Sequence, residues 1–344
     1  MSARIPAIFR QLAKGILFFF CFIAILEFSI RLAMPEYNPA KHLAFSWHHE
    51  NLILGQPNTV QRQIKNTGDF NVEVRFNRYG LRDSNDIQTA DRKDFILVGD
   101  SFSFGWGVEE AERFGEQLAE KIGRHVYNAA VPGDLDTYER LIDYAFKLAD
   151  KPLRVIIGLN METDILPYRA EVSAPVTDPK KSEPSAFNLM AVKAILTRHS
   201  AVYFLMTQQV HQHPILREYA VSLGLIRPNL NASLTDVPDE TAIAATVRRM
   251  SEIAALFKAT VIIIPSRYTW FGPRQQALSA IHEDISRDLA ARNIDIVDLK
   301  PVFDADGAPL EYHFENDGHW RPAGHAKAAE VLARHLKIRF GNAL

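Results

Sequence analysis

The stretch FILVGDSFSFGWGVEE, residues 95–110, opens as an apolar run and then breaks into small and polar residues where a helix would begin. Its first residues read as a buried strand. The glycines that follow admit two architectures, a backbone cradle for phosphate or a turn that presents Ser101 as a nucleophile. A P-loop needs a lysine near the end of its glycine turn, and GDSFSFGWGV has none. A dinucleotide fingerprint needs three glycines opening directly into a helix, and Gly105 and Gly107 have no third partner.

Working outward, comparable short apolar runs recur at VYNAA (126–130), VIIGL (155–159), VIIIP (261–265) and IDIVDL (294–299). Amphipathic helical text such as ERFGEQLAEKI, YERLIDYAFKLA and TVRRMSEIAALFKA separates most of them. Strands alternating with such helices predict an α/β domain whose central parallel sheet is covered on both faces. Between Leu166 and Glu240 the rhythm lapses into Pro- and Ser-containing text and then apolar helical text, an insertion expected above the strand ends, where α/β proteins place ligands. Upstream, residues 36–92 carry turn formers and an alternating strand pattern, FNVEVRF (70–76), and read as a small lead-in subdomain.

At 344 residues with 47% hydrophobic content the chain fills a substantial core. Its 39 basic and 41 acidic residues leave a net charge of -2, with no basic block to follow a nucleic-acid backbone, so nucleic acid is excluded as a partner. The single cysteine, Cys21, excludes a disulfide framework and a thiolate metal site. Cys21 lies in ILFFFCFIAIL (16–26), an uninterrupted apolar run preceded by Arg4, Arg10 and Lys14. Extended to Gly15–Met34 as a helix, it would rise about 30 Å, the thickness of a bilayer hydrocarbon core. The basic flank puts the N-terminus in the cytoplasm and everything after about residue 35 across the membrane. Glu27 and Arg31, at i,i+4, pair near the outer interface. The alternative is a cleaved signal peptide, although no clear small-x-small site follows; both readings export the domain.

A nucleophile needs a base, an orienting acid and an oxyanion hole. Near the C-terminus, YHFENDGHWRPAGH places Asp317 and His319 two residues apart. In an extended backbone the two side chains share a side, so Asp317 can accept from the imidazole while its other nitrogen faces the serine. Taken singly, each has an ordinary explanation: Ser101 as a helix cap, Asp100 and Asp317 as turn residues, His319 as a polar group near a turn. Trp106 and Trp320 flank these motifs and suit either a sugar-binding cleft or core packing. His48, His49, His211 and His213 lack a carboxylate at metal spacing and read as surface or packing residues.

The ordered set of motifs resembles the SGNH/GDSL hydrolase superfamily: VGDSFSFG carries Ser101, NAAVPGD Gly133, GLN Asn160 and DGHW His319. The likeness runs over about residues 94–336, apart from the insertion. The upstream FNRYGLRDS is similar to the lead-in of membrane-anchored bacterial members that include alginate O-acetyltransferase-like proteins. The resemblance implies a flavodoxin-like three-layer α/β/α fold, preceded here by one N-terminal transmembrane helix. It implies that Ser101 attacks an ester carbonyl, His319 takes its proton and Asp317 orients the imidazole. The backbone N–H groups of Ser101 and Gly133 and the Asn160 amide would bind the oxyanion, with no cofactor and no metal. Two departures stand out. The third block is usually G-x-N-D, but Met161 follows Asn160 and the next aspartate is Asp164; the last block has its acid two residues before the histidine instead of three.

The expectation is therefore an anchor (1–35), a lead-in (36–92) and an SGNH domain (93–344). It would lie in the bacterial inner membrane, with its catalytic domain in the periplasm or outside the cell. It would act as an esterase or O-acyltransferase on an acyl ester donor and a cell-envelope carbohydrate. The rivals are a lipid esterase or thioesterase and a noncatalytic polysaccharide-binding assembly factor.

Overall fold

The computed structural model describes residues 7–165, 189–226 and 237–344, so parts of the expected insertion, 166–188 and 227–236, lie outside the described residues. The chain divides into two compact units. The larger contains residues 44–63, 69–165 and 237–344; the smaller contains 7–43, 64–68 and 189–226.

The larger unit begins with β1 (Phe45–His49) and β2 (Leu52–Gly55), an antiparallel hairpin turning at Glu50 and Asn51, both with positive φ. Strands β3 (Val60–Ile64) and β4 (Asn71–Arg75) pair separately. Along β4 the buried residues Val72 and Val74 alternate with more exposed ones, as the FNVEVRF pattern requires.

The central sheet has five strands, β5 (Phe95–Val98), β6 (Val126–Asn128), β7 (Arg154–Asn160), β8 (Thr260–Ile264) and β9 (Asp295–Asp298). All are parallel, in the order β6-β5-β7-β8-β9. This is the doubly wound order of flavodoxin-like folds. The strands read as continuous apolar runs because both faces are covered. Ile96, Val98, Ile157 and Ile263 pack with helices Leu135–Ala149, Glu240–Phe257 and Gln275–Ala291. The alternate residues Phe95, Leu97, Ile156 and Ile262 pack on the opposite side with Phe114–Ile122 and Pro322–Phe340. Three layers result, with the reversal of strand order, the topological switch point, falling between β5 and β7.

In the smaller unit, one helix spans Ala7–Ala33. Its segment Ile8–Ala33 is long and apolar enough to cross a membrane. It begins earlier than the Gly15 expected from the apolar run. Helices Leu189–His199, Ala201–Gln212 and Pro214–Ser222 complete this unit's principal elements.

Candidate active site

The sheet delivers three of the five expected site residues at the ends of adjacent strands. Ser101 follows β5, Gly133 lies in the loop after β6, and Asn160 is the last residue of β7. Strand ends flanking a topological switch point form a crevice, which is where such sheets bind ligands.

The glycines of the opening motif serve the turn that carries the nucleophile candidate. Gly99 has φ +148 and no room for a Cβ, which would meet Ser103 Oγ at 2.3 Å. Asp100 caps the short helix Ser101–Phe104 by accepting from Phe102 N at 3.0 Å, and Gly105 ends it in the left-handed conformation. The carbonyls at this helix's end are held by Arg82 of the lead-in. Its buried guanidinium donates to Phe104 O, Gly105 O and Val108 O at 3.2, 2.6 and 2.7 Å. The next residue, Asp83, accepts from Asn128 N at the end of β6, at 2.6 Å.

His319 arrives from the far end of the chain. Its Nε2 lies 2.7 Å from Ser101 Oγ, while Nδ1 is hydrogen-bonded to Asp317 Oδ1. With Nδ1–H donating to the carboxylate, Nε2 is left as the acceptor for the serine hydroxyl. The backbone here is not the extended segment predicted from the i,i+2 spacing. Residues 315–319 form bends, and Asp317 Oδ1 also accepts from His319 N at 3.1 Å. An Asx-type turn thus brings acid and imidazole together where a strand was expected, because a short carboxylate reaches the N–H two residues on. The turn is closed by an antiparallel bridge between His313 and Trp320 and by Arg267, whose Nη1 donates to Asp317 O at 3.0 Å.

The aromatic neighbours separate into two roles. Trp106 is partly exposed and stacks on His319, with centroids 5.5 Å apart. Trp320 is fully buried among Phe102, Phe114 and Phe303, which is core packing.

Asn160 is tightly held. Its Oδ1 accepts from Glu162 N at 2.9 Å, which fixes the amide orientation. Its Nδ2 donates to Asp100 Oδ2 at 2.6 Å and to Thr163 Oγ1 at 3.1 Å, and Thr163 Oγ1 donates to the same Asp100 oxygen at 3.1 Å. Asp164, the next aspartate after Asn160, braces the block. Its Oδ2 accepts from Asn160 N and its Oδ1 from Tyr138 Oη, both at 2.8 Å. Tyr138 Oη also lies 3.5 Å from Gly133 O, so this link joins the second and third motif blocks. Met161 turns into the core. Glu162 accepts from Ser266 Oγ at 3.1 Å. Burial pushes its carboxyl above the ordinary range, opposed by the attraction of Arg267.

Sequence reasoning missed Thr163, Tyr138, Glu162, Ser266 and Arg267 as parts of this neighbourhood. Asp164 carried a readable signal, being the next aspartate after the altered block. Arg267 carried none, because it meets the Asp317 turn only through the tertiary fold.

A serine hydroxyl hydrogen-bonded to an imidazole, itself bonded to a carboxylate, can deprotonate as it attacks a carbonyl carbon. The GDSL-like Lipase/Acylhydrolase family matches residues 97–327, and the chain belongs to that family. It is accordingly an ester-cleaving serine hydrolase by class. Similar solved structures include a lipase/acylhydrolase from Enterococcus faecalis, 11% identical, covering 72% of this chain and 96% of that one with a TM-score of 0.42. A carbohydrate esterase family 2 enzyme with a carbohydrate binding domain from Corynascus thermopiles (Myceliophthora fergusii) is 13% identical over 73% and 68% of the two chains, TM-score 0.43. A member of the lipolytic G-D-S-L family from Veillonella parvula is 12% identical over 73% and 100%, TM-score 0.39. No curated protein matches the sequence.

Proposed function

We propose that this protein is a membrane-anchored, extracytoplasmic serine esterase or O-acyltransferase acting on acyl esters, foremost acetyl esters, of cell-envelope polysaccharide. The reading takes residues 1–35 as the anchor, 36–92 as the lead-in and 93–344 as the catalytic domain. The observation that carries its chemistry is the continuous Ser101–His319–Asp317 hydrogen-bond chain.

Ser101 Oγ attacks the ester carbonyl while its proton passes to His319 Nε2, and Asp317 holds the Nδ1–H and stabilises the imidazolium. The oxyanion is met by the backbone N–H groups of Ser101 and Gly133 and by the Asn160 amide. Asn160 Nδ2 exchanges its longer bond, to Thr163, for the oxyanion and keeps the bond to Asp100. The imidazolium then protonates the leaving alcohol, giving an acyl-Ser101 intermediate. Water or a bound sugar hydroxyl attacks next, with His319 again taking the proton. Transfer outcompetes hydrolysis when the cleft positions the acceptor hydroxyl, an effect worth about 7 kcal/mol or more. Trp106, partly exposed beside His319, supports a flat carbohydrate ring at that place. The apolar helix and its basic flank support an envelope location.

The test is to follow a labelled acetyl group from an activated donor into free acetate and into added envelope oligosaccharide, with Ser101→Ala as background. Acetylated oligosaccharide above background is expected. Release of acetate alone across a broad acceptor panel would replace transfer by hydrolysis. A marked preference for long acyl chains would favour the lipid esterase. No product above background with any donor would favour a noncatalytic binding role.

A further inference from the structure

The helices of residues 189–226 are fastened to the far end of the apolar N-terminal helix. Ser200 Oγ, Ala201 N and Val202 N donate to the Glu27 carboxylate at 2.9, 2.8 and 3.0 Å, so a glutamate within the apolar helix satisfies the start of helix Ala201–Gln212. Arg31 pairs with Glu27 and donates to His199 O at 2.6 Å. Ile30, Ala201 and Val202 form a buried cluster with Leu26, Met34, Tyr37 and Leu205 around these bonds.

The position of that junction along the helix matters. The uncharged residues between Lys14 and Glu27 number twelve. At about 1.5 Å per residue they rise about 18 Å, short of the ~30 Å bilayer core. A span of about 30 Å that begins at Gly15 ends near Met34 and therefore carries Glu27 and Arg31 inside the far leaflet, about 10 and 5 Å from its boundary. Their pairing with each other and with the 199–202 backbone is what makes that depth tolerable. Whatever is bolted to them sits at the same level.

Helix Pro214–Ser222 in this same unit is amphipathic in the reverse sense to a soluble one. Ile215, Leu216, Tyr219 and the capping Leu223 follow the spacing of one helical stripe, yet they are 61%, 46%, 66% and 70% exposed. Ala220 is buried and Arg217 half-buried. Ile195 and Met206 on the preceding helices are also exposed, and the basic Lys193, Arg198 and Arg217 outnumber the acidic Glu218. An outward apolar stripe with an aromatic residue and a basic surround is the chemistry of a helix lying in a lipid–water interface.

We propose that residues 189–226 form an interfacial platform whose apolar stripe, Ile215, Leu216, Tyr219 and Leu223, enters the same anionic bilayer leaflet that the N-terminal helix leaves. The inference rests on that helix being a membrane span. The platform gives the protein a second membrane contact, fixed in register with the first by Glu27.

The test uses the full chain carrying Cys21→Ser, reconstituted in phosphatidylethanolamine–phosphatidylglycerol vesicles. An environment-sensitive thiol label is placed singly through Phe18→Cys, Ile215→Cys, Tyr219→Cys, Leu223→Cys or Glu330→Cys, and quenching by lipids brominated along the acyl chain is read. Several-fold stronger quenching at 215, 219 and 223 than at 330 is expected, with shallow bromines most effective, and strong quenching at 18 by deep bromines. Glu27→Ala should reduce quenching at 219 while leaving that at 18 unchanged. Quenching at 18 with none at 215, 219 and 223 overturns the platform and leaves the anchor standing. No quenching at 18 removes the anchor and the platform with it. Lipid-independent, concentration-dependent shielding of the stripe overturns the bilayer assignment in favour of a second copy of the chain.

Discussion

Asp164 offers the sharpest test of how the site is held. Replacing it by alanine leaves the Asn160 N–H and the Tyr138 hydroxyl without the carboxylate that accepts both at 2.8 Å. The Asn160 N–H so abandoned costs about 1–3 kcal/mol, and the Tyr138 hydroxyl, which keeps Gly133 O at 3.5 Å, adds less. At about 2–4 °C per kcal/mol for a domain of this size, the thermal midpoint should fall by several degrees. On the proposed mechanism turnover should suffer separately, because the released turn no longer aims the Asn160 amide, and a lost oxyanion donor costs about 100-fold. That loss belongs in kcat, since the contact forms only as the carbonyl becomes tetrahedral. Asp164→Asn keeps one carbonyl acceptor and should fall between the two. The assay is hydrolysis of a short activated ester by purified full-length protein well below its midpoint, normalised to Ser101 titrated with a fluorophosphonate. Wild-type kcat per titrated serine in Asp164→Ala would refute the reasoning even if the midpoint dropped.

Fluorophosphonate should label wild type and not Ser101→Ala, and His319→Ala should label far more slowly with the fold intact; equal labelling of all three removes Ser101 from the mechanism. Stability should decline on acidification, because burial pulls His313 and His325 well below the ordinary histidine value, each to about 3. With the folded pKa below the unfolded one, their contribution is whole above about pH 6.5. It drains away toward pH 3 at about 1.4 kcal/mol per pH unit per ring, hence about 4 kcal/mol for the two at pH 5. His325→Asn should flatten the dependence of the urea midpoint on pH, and an unchanged slope would contradict it. Substitutions at Asp100 and Asn160, which share a 2.6 Å bond, should not add in a double-mutant cycle of kcat; additive losses would mean the bond has no catalytic weight.

The sheet was legible because its strands are apolar on both faces, so that FILV, VIIGL and VIIIP stand out without any periodicity. The spacing of Asp317 and His319 was legible, but the backbone that joins them was not. An i,i+2 contact arises equally from a strand and from an Asx turn, and the choice depends on Arg267 and on the His313–Trp320 bridge, far away or weakly patterned in sequence. Trp106 and Trp320 look alike on the page, and only packing sends the second into the core. Asp164 was visible as the next aspartate after Asn160. Its partner Tyr138 was hidden among the apolar positions of an ordinary amphipathic helix.

Arg82 lies upstream of residue 97, where the family match begins, yet its guanidinium satisfies three carbonyls of the turn carrying Ser101. A chain trimmed to the family boundary would keep Ser101, Asp317 and His319 and lose the guanidinium that holds the carbonyls after Ser101. The lead-in is thus woven into the hydrogen bonding of that turn, and the family boundary falls after a residue the turn relies on.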